Sequence, residues 1–486
     1  MLTVRQSFSY DCDVLIAGAG PAGSGLALHL ARQGVKVIVA EAECFPRDKV
    51  CGDGVSPVAL AELEHLGITG TDAFKQANEI RRVGLFLKND QVIIDLSKPD
   101  HLPHHARIIP RLQLDHWIAS AAQSAVVDYI QRARVADFRI SDTGIHVTVK
   151  HAGRLRTLKA KLLVGADGTN SRVARQLNGA KPADEFRLLG LRSYFDGVEG
   201  PADRVDIFFN EACFPGIFWM FPLGAERANI GMAMVAKTYP ATDKHIQNML
   251  LHQIRNDPML QLRIGKGKMD GKISGWPINF YNRNKRIADN RILLAGDAAG
   301  LINPLSGDGI QYALLSARWA SEVIIQSLLK NDFSAATLQA YTRKIEAELG
   351  YDFALSNLLV QFPRNKALGK LWFSILELMI AQAKTDKVYA DTVAGIFEGT
   401  YPSYKALNHS FILKSLGQGI CGVERSLGTV ITHPEKLIGS GVSSAELLIN
   451  ILTTVARQNK DQWQWLKSTF KKTLQVGGHF LRHQQK

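Results

Sequence analysis

The sequence predicts an α/β fold: a parallel sheet wrapped by helices, an inserted antiparallel sheet, and a helical C-terminal region. Three observations predict it. Short apolar runs at residues 14–17, up to Gly165 and at 291–295 each end in a glycine-containing turn, as buried parallel strands do. Between about 188 and 237 four segments follow one another, LLGLRSYF, RVDIFFN, GIFWMFPL and RANIGMAMV. They alternate as strands of a sheet with one apolar face do. Beyond Asn331 the pattern is mostly helical.

The first element runs from Asp13 to Glu43. A strand at 14–17 enters a turn containing Gly18, Gly20 and Gly23, a helix follows over 21–33, and Gly34 stops it. A second strand, 35–40, delivers Glu41. This is the Rossmann-like pattern of a dinucleotide-binding βαβ unit. The glycines permit a tight turn and close backbone approach to a pyrophosphate at the helix N-terminus, and the acid accepts from a ribose hydroxyl. By itself the unit leaves FAD and NAD(P) both open.

The loop CFPRDKVCGDG follows Glu41 directly, where it can fold over a cofactor, and feeds a helix at 57–66. Residues 80–97 alternate as two strands around a turn at Asn89-Asp90, and Arg111 begins an amphipathic helix reaching Gln123. A strand pair at 145–150 and 155–160 precedes a separate apolar strand ending in GADGTNS. The aromatic strands at 204–223 suit either an ordinary core or the wall of an apolar pocket, with Trp219 and Phe221 as candidate substrate contacts. After the strand at 291–295 come GDAAG, a glycine loop with Gly307 and Gly309, and a long helix. The expected division is a discontinuous cofactor domain (8–80, 105–185, 285–330), an antiparallel substrate domain (81–104, 186–284) and a helical region (331–486).

Composition narrows the function classes. The chain has 486 residues, enough for two or three domains. Its five cysteines are odd in number and scattered, which argues against a disulfide framework and for a reducing, cytoplasmic setting. No His/Cys cluster suggests a metal, so none is expected. No apolar run reaches the roughly 18 residues of a membrane span. A net charge of +13 fits a nucleic acid, an anionic membrane surface or an anionic substrate. Nucleic acid is set aside, because no recognition-helix or aromatic–basic RNA pattern is present. In the tail, Trp463, Leu466, Phe470 and Leu474 share a helical stripe beside Lys460, Lys467 and Lys471. That pattern suits a peripheral anchor on the cytoplasmic membrane face, or a helix packed back on the body with solvated lysines.

The three glycine-and-acid loops, at Gly18, at Asp167-Gly168 and at Asp297, each follow an apolar strand and should gather at the carboxyl edge of one sheet. Three contacts spread along the chain favour FAD, held along its length. GAGPAG, FPRDKVCGDGVSP, PRLQLDHWI, GADGTNSRVAR, GIFWMFP and GDAAGLINPLSGDGIQYAL together resemble the monooxygenase-like FAD flavoproteins and, within them, the geranylgeranyl reductase family. The resemblance covers about residues 10 to 330. It implies that Gly18, Gly20 and Gly23 pack on the pyrophosphate, that Glu41 holds the adenosine ribose, and that Arg111, Asp167 and Gly168 contact the cofactor. It further implies that Asp297 binds the ribityl and pyrophosphate region, and that Gly309 and Ile310 present N–H groups to the flavin's pyrimidine edge.

The expected activity is hydrogenation of carbon–carbon double bonds in an isoprenoid lipid, diphosphate or quinone side chain. An isolated alkene needs a proton at one carbon as hydride reaches the other, and the resemblance places Cys51 where a thiol could relay it. A small buried hydrophobe is the other reading of that cysteine. With no second dinucleotide turn, the reductant is a transient NAD(P)H or a reduced electron carrier. Two alternatives use the same cofactor loops. One is an FAD monooxygenase hydroxylating an aromatic, quinone-precursor or carrier-bound substrate, and the other is a flavoprotein accessory acting on a partner protein.

Overall fold

The computed structural model describes residues 10–88, 90–97, 99–179, 186–210, 214–238, 245–404 and 460–484. Its first sheet has the strand order Ala288–Asp289, Ile292–Leu294, Arg154–Gly165, Cys12–Ala17, Val37–Ala40, Asp128–Ile130. The last five run parallel. Along the central strands the side chains are buried, Leu15, Ile16, Leu163 and Leu293 at 0% exposure, as expected of a parallel sheet covered by helices. Helix Pro21–Ala31 packs on the long helix Ile310–Lys330, with Gly25 facing Leu314 and Ala317.

Several expectations shift. The first helix ends at Ala31, two residues early, because Arg32 caps it, and the second strand begins at Val37, where pairing with Val14 starts. The second strand of the predicted pair and the separate strand after it are one strand, Arg154–Gly165. Its first half pairs antiparallel with Gly144–His151 and its second half parallel with Cys12–Ala17. Leu87 pairs with Asp90, so Asp90 already belongs to a strand rather than to the turn. Strands Asp128–Ile130 and Ala133–Ser141 and helices Ile246–Asn256 and Pro258–Ile264 were not foreseen. Nor was a small sheet joining Gly54–Val55, Ala106–Ile108 and Asn78–Ile80.

The second sheet orders Lys268–Asn279, Arg187–Asp196, Arg227–Val235, Ile217–Pro222, Arg204–Phe209, Arg82–Leu87, Asp90–Asp95. Strand alternation divides its faces. Phe208, Phe218, Met220, Ile230 and Met232 pack under helices Ile246–Asn256 and Pro258–Ile264. Ile207, Phe209, Ile217, Trp219 and Phe221 face the other way, towards helices Gly369–Thr385 and Lys387–Glu398. The C-terminal region thereby roofs one face of the aromatic sheet. Helix Lys460–Gln484 packs on Ala335–Gln361, with Trp465 Nε1 donating to Gln361 O at 2.9 Å and Lys472 Nζ to Asn357 Oδ1 at 2.6 Å. Trp463, Phe470 and Leu474 nevertheless stay exposed, while Leu466 is half-buried.

Candidate active site

The three glycine loops meet at one sheet edge and pack into one another. Gly18, at φ +92°, lies so close to the second loop that a Cβ there would stand 2.5 Å from Ala166 O. A Cβ on Gly23 would stand 1.9 Å from Gly18 O, and one on Gly296 would meet Ala22 at 2.8 Å. These positions admit only glycine without movement of backbone. Gly20 differs. It caps helix Pro21–Ala31 with no side-chain bond, and within 4 Å its Cβ would meet only Arg47 Nη2, at 3.8 Å. A bare helix N-terminus thus faces a cradle overlooked by a guanidinium, an arrangement that fits a pyrophosphate.

Glu41, 5% exposed, accepts from Ala19 N at 2.7 Å and from Glu43 N at 3.0 Å, with Arg47 Nε at 3.4 Å. Arg111 opens helix Arg111–Ser124 and forks onto Asp115 at 2.6 and 2.8 Å, both groups buried. Burial opposes the charge on each, but the pairing prevails: it holds Asp115 below and Arg111 above their ordinary values. Asp167 spends its carboxylate locally, accepting from Ser171 Oγ at 2.5 Å and Arg172 N at 2.7 Å, beside Gly168 at φ +74°. It thereby holds Ser171, the N-cap of helix Arg172–Asn178, and does not line the cavity described below. Asp297 does line it. Despite burial it is held below the usual carboxylate range by Lys49, whose Nζ is 2.9 Å away. Gly309 caps helix Ile310–Lys330, and the first N–H of that helix, on Ile310, donates to Asp308 Oδ1 at 3.0 Å. Burial pushes Asp308 up to about 6.

A cavity of about 640 Å³ runs from these loops into the aromatic sheet. Pro21, Lys49, Cys51, Arg111, Asp297 and the 306–310 loop line one end. Trp219, Phe221, Phe209 and Phe214 follow on the sheet side, and Phe362, Trp372, Leu376, Met379 and Ile396 come from the C-terminal helices. The walls are overwhelmingly apolar. The cysteine loop lies directly on the aromatic strand: a Cβ on Gly52 would stand 3.1 Å from the Phe221 ring and 3.6 Å from Trp219 Nε1. Cys51, Trp219 and Phe221 are therefore brought together. Burial raises the Cys51 thiol above its ordinary value, Arg111 opposing, so it keeps its proton at neutral pH.

Asp53 anchors that loop, and sequence reasoning missed it. It is fully buried at φ +64°, and its Oδ2 accepts from Tyr194 OH at 2.7 Å and Asn229 Nδ2 at 2.8 Å. Burial lifts its pKa to about 6 against those hydrogen bonds. Asn229 also donates to Cys51 O at 2.7 Å and accepts from Trp219 Nε1 at 3.0 Å. Arg47 and Lys49 were missed as well. The one available cue was an Asp between two glycines in CGDG, a sequence suited to left-handed backbone.

A family model of the FAD binding domain matches residues 11–347, more than half of the chain. The chain belongs to this FAD-binding family. It is an FAD-dependent oxidoreductase, and the glycine edge with its open cradle is consistent with that cofactor. Among curated relatives, menaquinone reductase of Mycolicibacterium smegmatis is 30% identical over 67% of this chain and 78% of its own length. Digeranylgeranylglycerophospholipid reductase 2 of Methanopyrus kandleri is 29% identical over 71% and 84%. A solved geranylgeranyl bacteriochlorophyll reductase-like protein from Thermoplasma acidophilum superposes with a TM-score of 0.68 at 21% identity, over 81% of this chain and 98% of that one. That last likeness shows a shared fold.

Proposed function

We propose that this FAD-dependent enzyme hydrogenates carbon–carbon double bonds of a long isoprenoid chain. The observation that carries the reading is the continuous apolar cavity joining the glycine-loop edge to the aromatic sheet, with Cys51 where the two meet. The relatives named for reduction of menaquinone and of a digeranylgeranyl lipid support the same class of acceptor. When bound, FAD supplies hydride donation.

The protein's own groups do the rest. Gly18, Gly20, Gly23 and Glu41 hold the dinucleotide end, with Arg47 over the cradle. Arg111, Asp297 and the 309–310 helix start frame the end of the cavity nearest Cys51. The aromatic and aliphatic walls exclude water and align an extended hydrocarbon, in the manner of preformed apolar pockets. Cys51, kept protonated by burial, holds a proton for the second alkene carbon. Trp219 and Phe221 press on the loop that carries it. Reducing equivalents come from a transiently docked NAD(P)H or a reduced carrier. An acceptor of this kind resides in lipid, so peripheral contact with a membrane face is part of the reading. Among the described residues no helix is long and apolar enough to cross a membrane.

The test is anaerobic. Dithionite-reduced protein is mixed with geranylgeranyl acceptors in lipid, diphosphate and quinone form, and the products are weighed. A mass gain of two hydrogens per double bond is expected. No gain with any acceptor, or oxygen-dependent hydroxylation with NAD(P)H, would overturn the reading.

A further inference from the structure

Helix Lys460–Gln484 has two faces of different character. Trp465, Thr469, Lys472 and Val476 are buried against the body. Trp463, Phe470, Leu474 and Leu481 are 57, 65, 55 and 54% exposed. They stand at i, i+7, i+11 and i+18, which at 100° per residue puts all four within about 20° of one line. Chance exposure of single apolar residues needs no explanation, but a straight row on the side opposite a packed face does.

Charge decides what covers the row. Lys460, Lys467, Lys471 and Arg482 are all exposed, and they fall along one flank of the stripe. The helix's acid, Asp461, is half-buried. The aromatic, aliphatic and cationic residues on this surface match the chemistry of an anionic bilayer interface, where indole and phenyl rings enter the headgroup layer and basic side chains meet lipid phosphates. The surface is also tied to the cavity. Gln361 and Asn365 bind the first turns of the helix, Asn365 Nδ2 donating to Gln462 Oε1 at 2.7 Å. Between them Phe362 and Pro363 line the cavity.

We infer that the Trp463–Leu481 stripe is the face by which this protein docks on anionic lipid, setting the Phe362–Pro363 wall of the substrate cavity beside the bilayer. The inference takes its purpose from the isoprenoid reading, but the docking itself is measured without any substrate.

The experiment is flotation of the flavin-loaded full chain with two vesicle types, phosphatidylcholine alone and phosphatidylcholine with one third phosphatidylglycerol. The protein should float with the anionic vesicles and stay behind with the neutral ones. Trp463→Ser/Phe470→Ser/Leu474→Ser should lower the partition coefficient about tenfold or more, since three large apolar side chains no longer leave water. Lys467→Glu/Lys471→Glu should abolish the preference for anionic lipid. Leu262→Ser, an equally exposed apolar residue elsewhere, should float as the parent does. Flavin absorbance and thermal melting should match the parent in every variant. Failure of the parent to float, or equal flotation of the triple variant, would overturn the proposal. So would a triple variant that changes only the sedimentation coefficient, which would show a second copy covering the face. A protein that floats yet reduces no prenyl acceptor would sink the functional reading and leave this one standing.

Discussion

The side-chain amide of Asn229 donates to the main-chain oxygen of Cys51 across 2.7 Å, tying the cysteine loop to a strand 178 residues away. The same amide group bonds Asp53, and its oxygen accepts from Trp219, so one residue sets the cysteine loop and the aromatic wall relative to each other.

Replacing Asn229 by Leu should therefore act on activity more than on flavin binding. The change removes one side-chain donor from buried Asp53, which keeps Tyr194, and leaves the half-buried Trp219 indole N–H without its acceptor, at a cost on the order of 1 kcal/mol each. Prenyl reduction should fall at least tenfold while FAD remains bound. Thermal melting and turnover with a geranylgeranyl lipid check this, and unchanged turnover would show that the anchor has no part in positioning.

Cys51→Ala should lower the rate of alkene reduction by about 10²–10⁴-fold if its thiol is the general acid, with the flavin spectrum intact. In the parent protein, carboxymethylation of Cys51 should be slow at neutral pH and still be climbing above pH 9, because burial raises this thiol. Peptide mass spectrometry separates it from Cys44, and a rapid plateau near pH 7 would contradict the assignment.

The contrast between two glycines tests the cofactor cradle. Gly20→Ala adds a methyl to an open space at an ordinary φ of −69°, so the apoprotein should melt as the parent does. Its FAD affinity should nevertheless drop at least tenfold, as read by flavin fluorescence. Gly23→Ala collides with Gly18 O and should destabilise the fold itself.

Glu398 gives a pH prediction. It accepts from Ser97 N and Ser97 Oγ, Oγ at 2.8 Å, and burial lifts it from 4.5 to about 7. Its folded value lies above its unfolded one, so the folded state holds a proton that the unfolded chain has lost between those limits. Its contribution is complete below about 4.5 and fades as pH rises through 7, by an amount on the order of 3 kcal/mol. Glu398→Gln should flatten this part of the melting-temperature profile between pH 5 and 8, and an unaltered profile would remove Glu398 as its source.

Much of the cofactor edge was readable in advance because backbone geometry dictates residue type there. Only glycine satisfies the approaches at Gly18 and Gly23, and the strand–turn–helix rhythm around them is local. Trp219 and Phe221 were readable as a pair through strand alternation. Asp53, Tyr194 and Asn229 were not, since their bonds exist only once strands far apart in sequence have been brought together. The roof was unreadable for another reason. Leu376, Met379 and Ile396 need only be apolar and of suitable volume, and such a requirement leaves no motif. The tail packs on the body, as one of its two readings expected, and a helix has enough circumference to present an apolar stripe on its other side as well.

The roof also constrains how the molecule can be made. The sheet face bearing Val83, Leu85, Ile207 and Phe209 is complete long before ribosomes reach Phe373, Ile380 and Val393, its covering residues. A nascent chain must carry that greasy surface in water until the final third is synthesised. A fragment trimmed to the end of the family match at residue 347 would keep every glycine of the cofactor edge and still expose this face. The residues that cover it run from Phe373 to Ala394, well past the region by which the family is recognised.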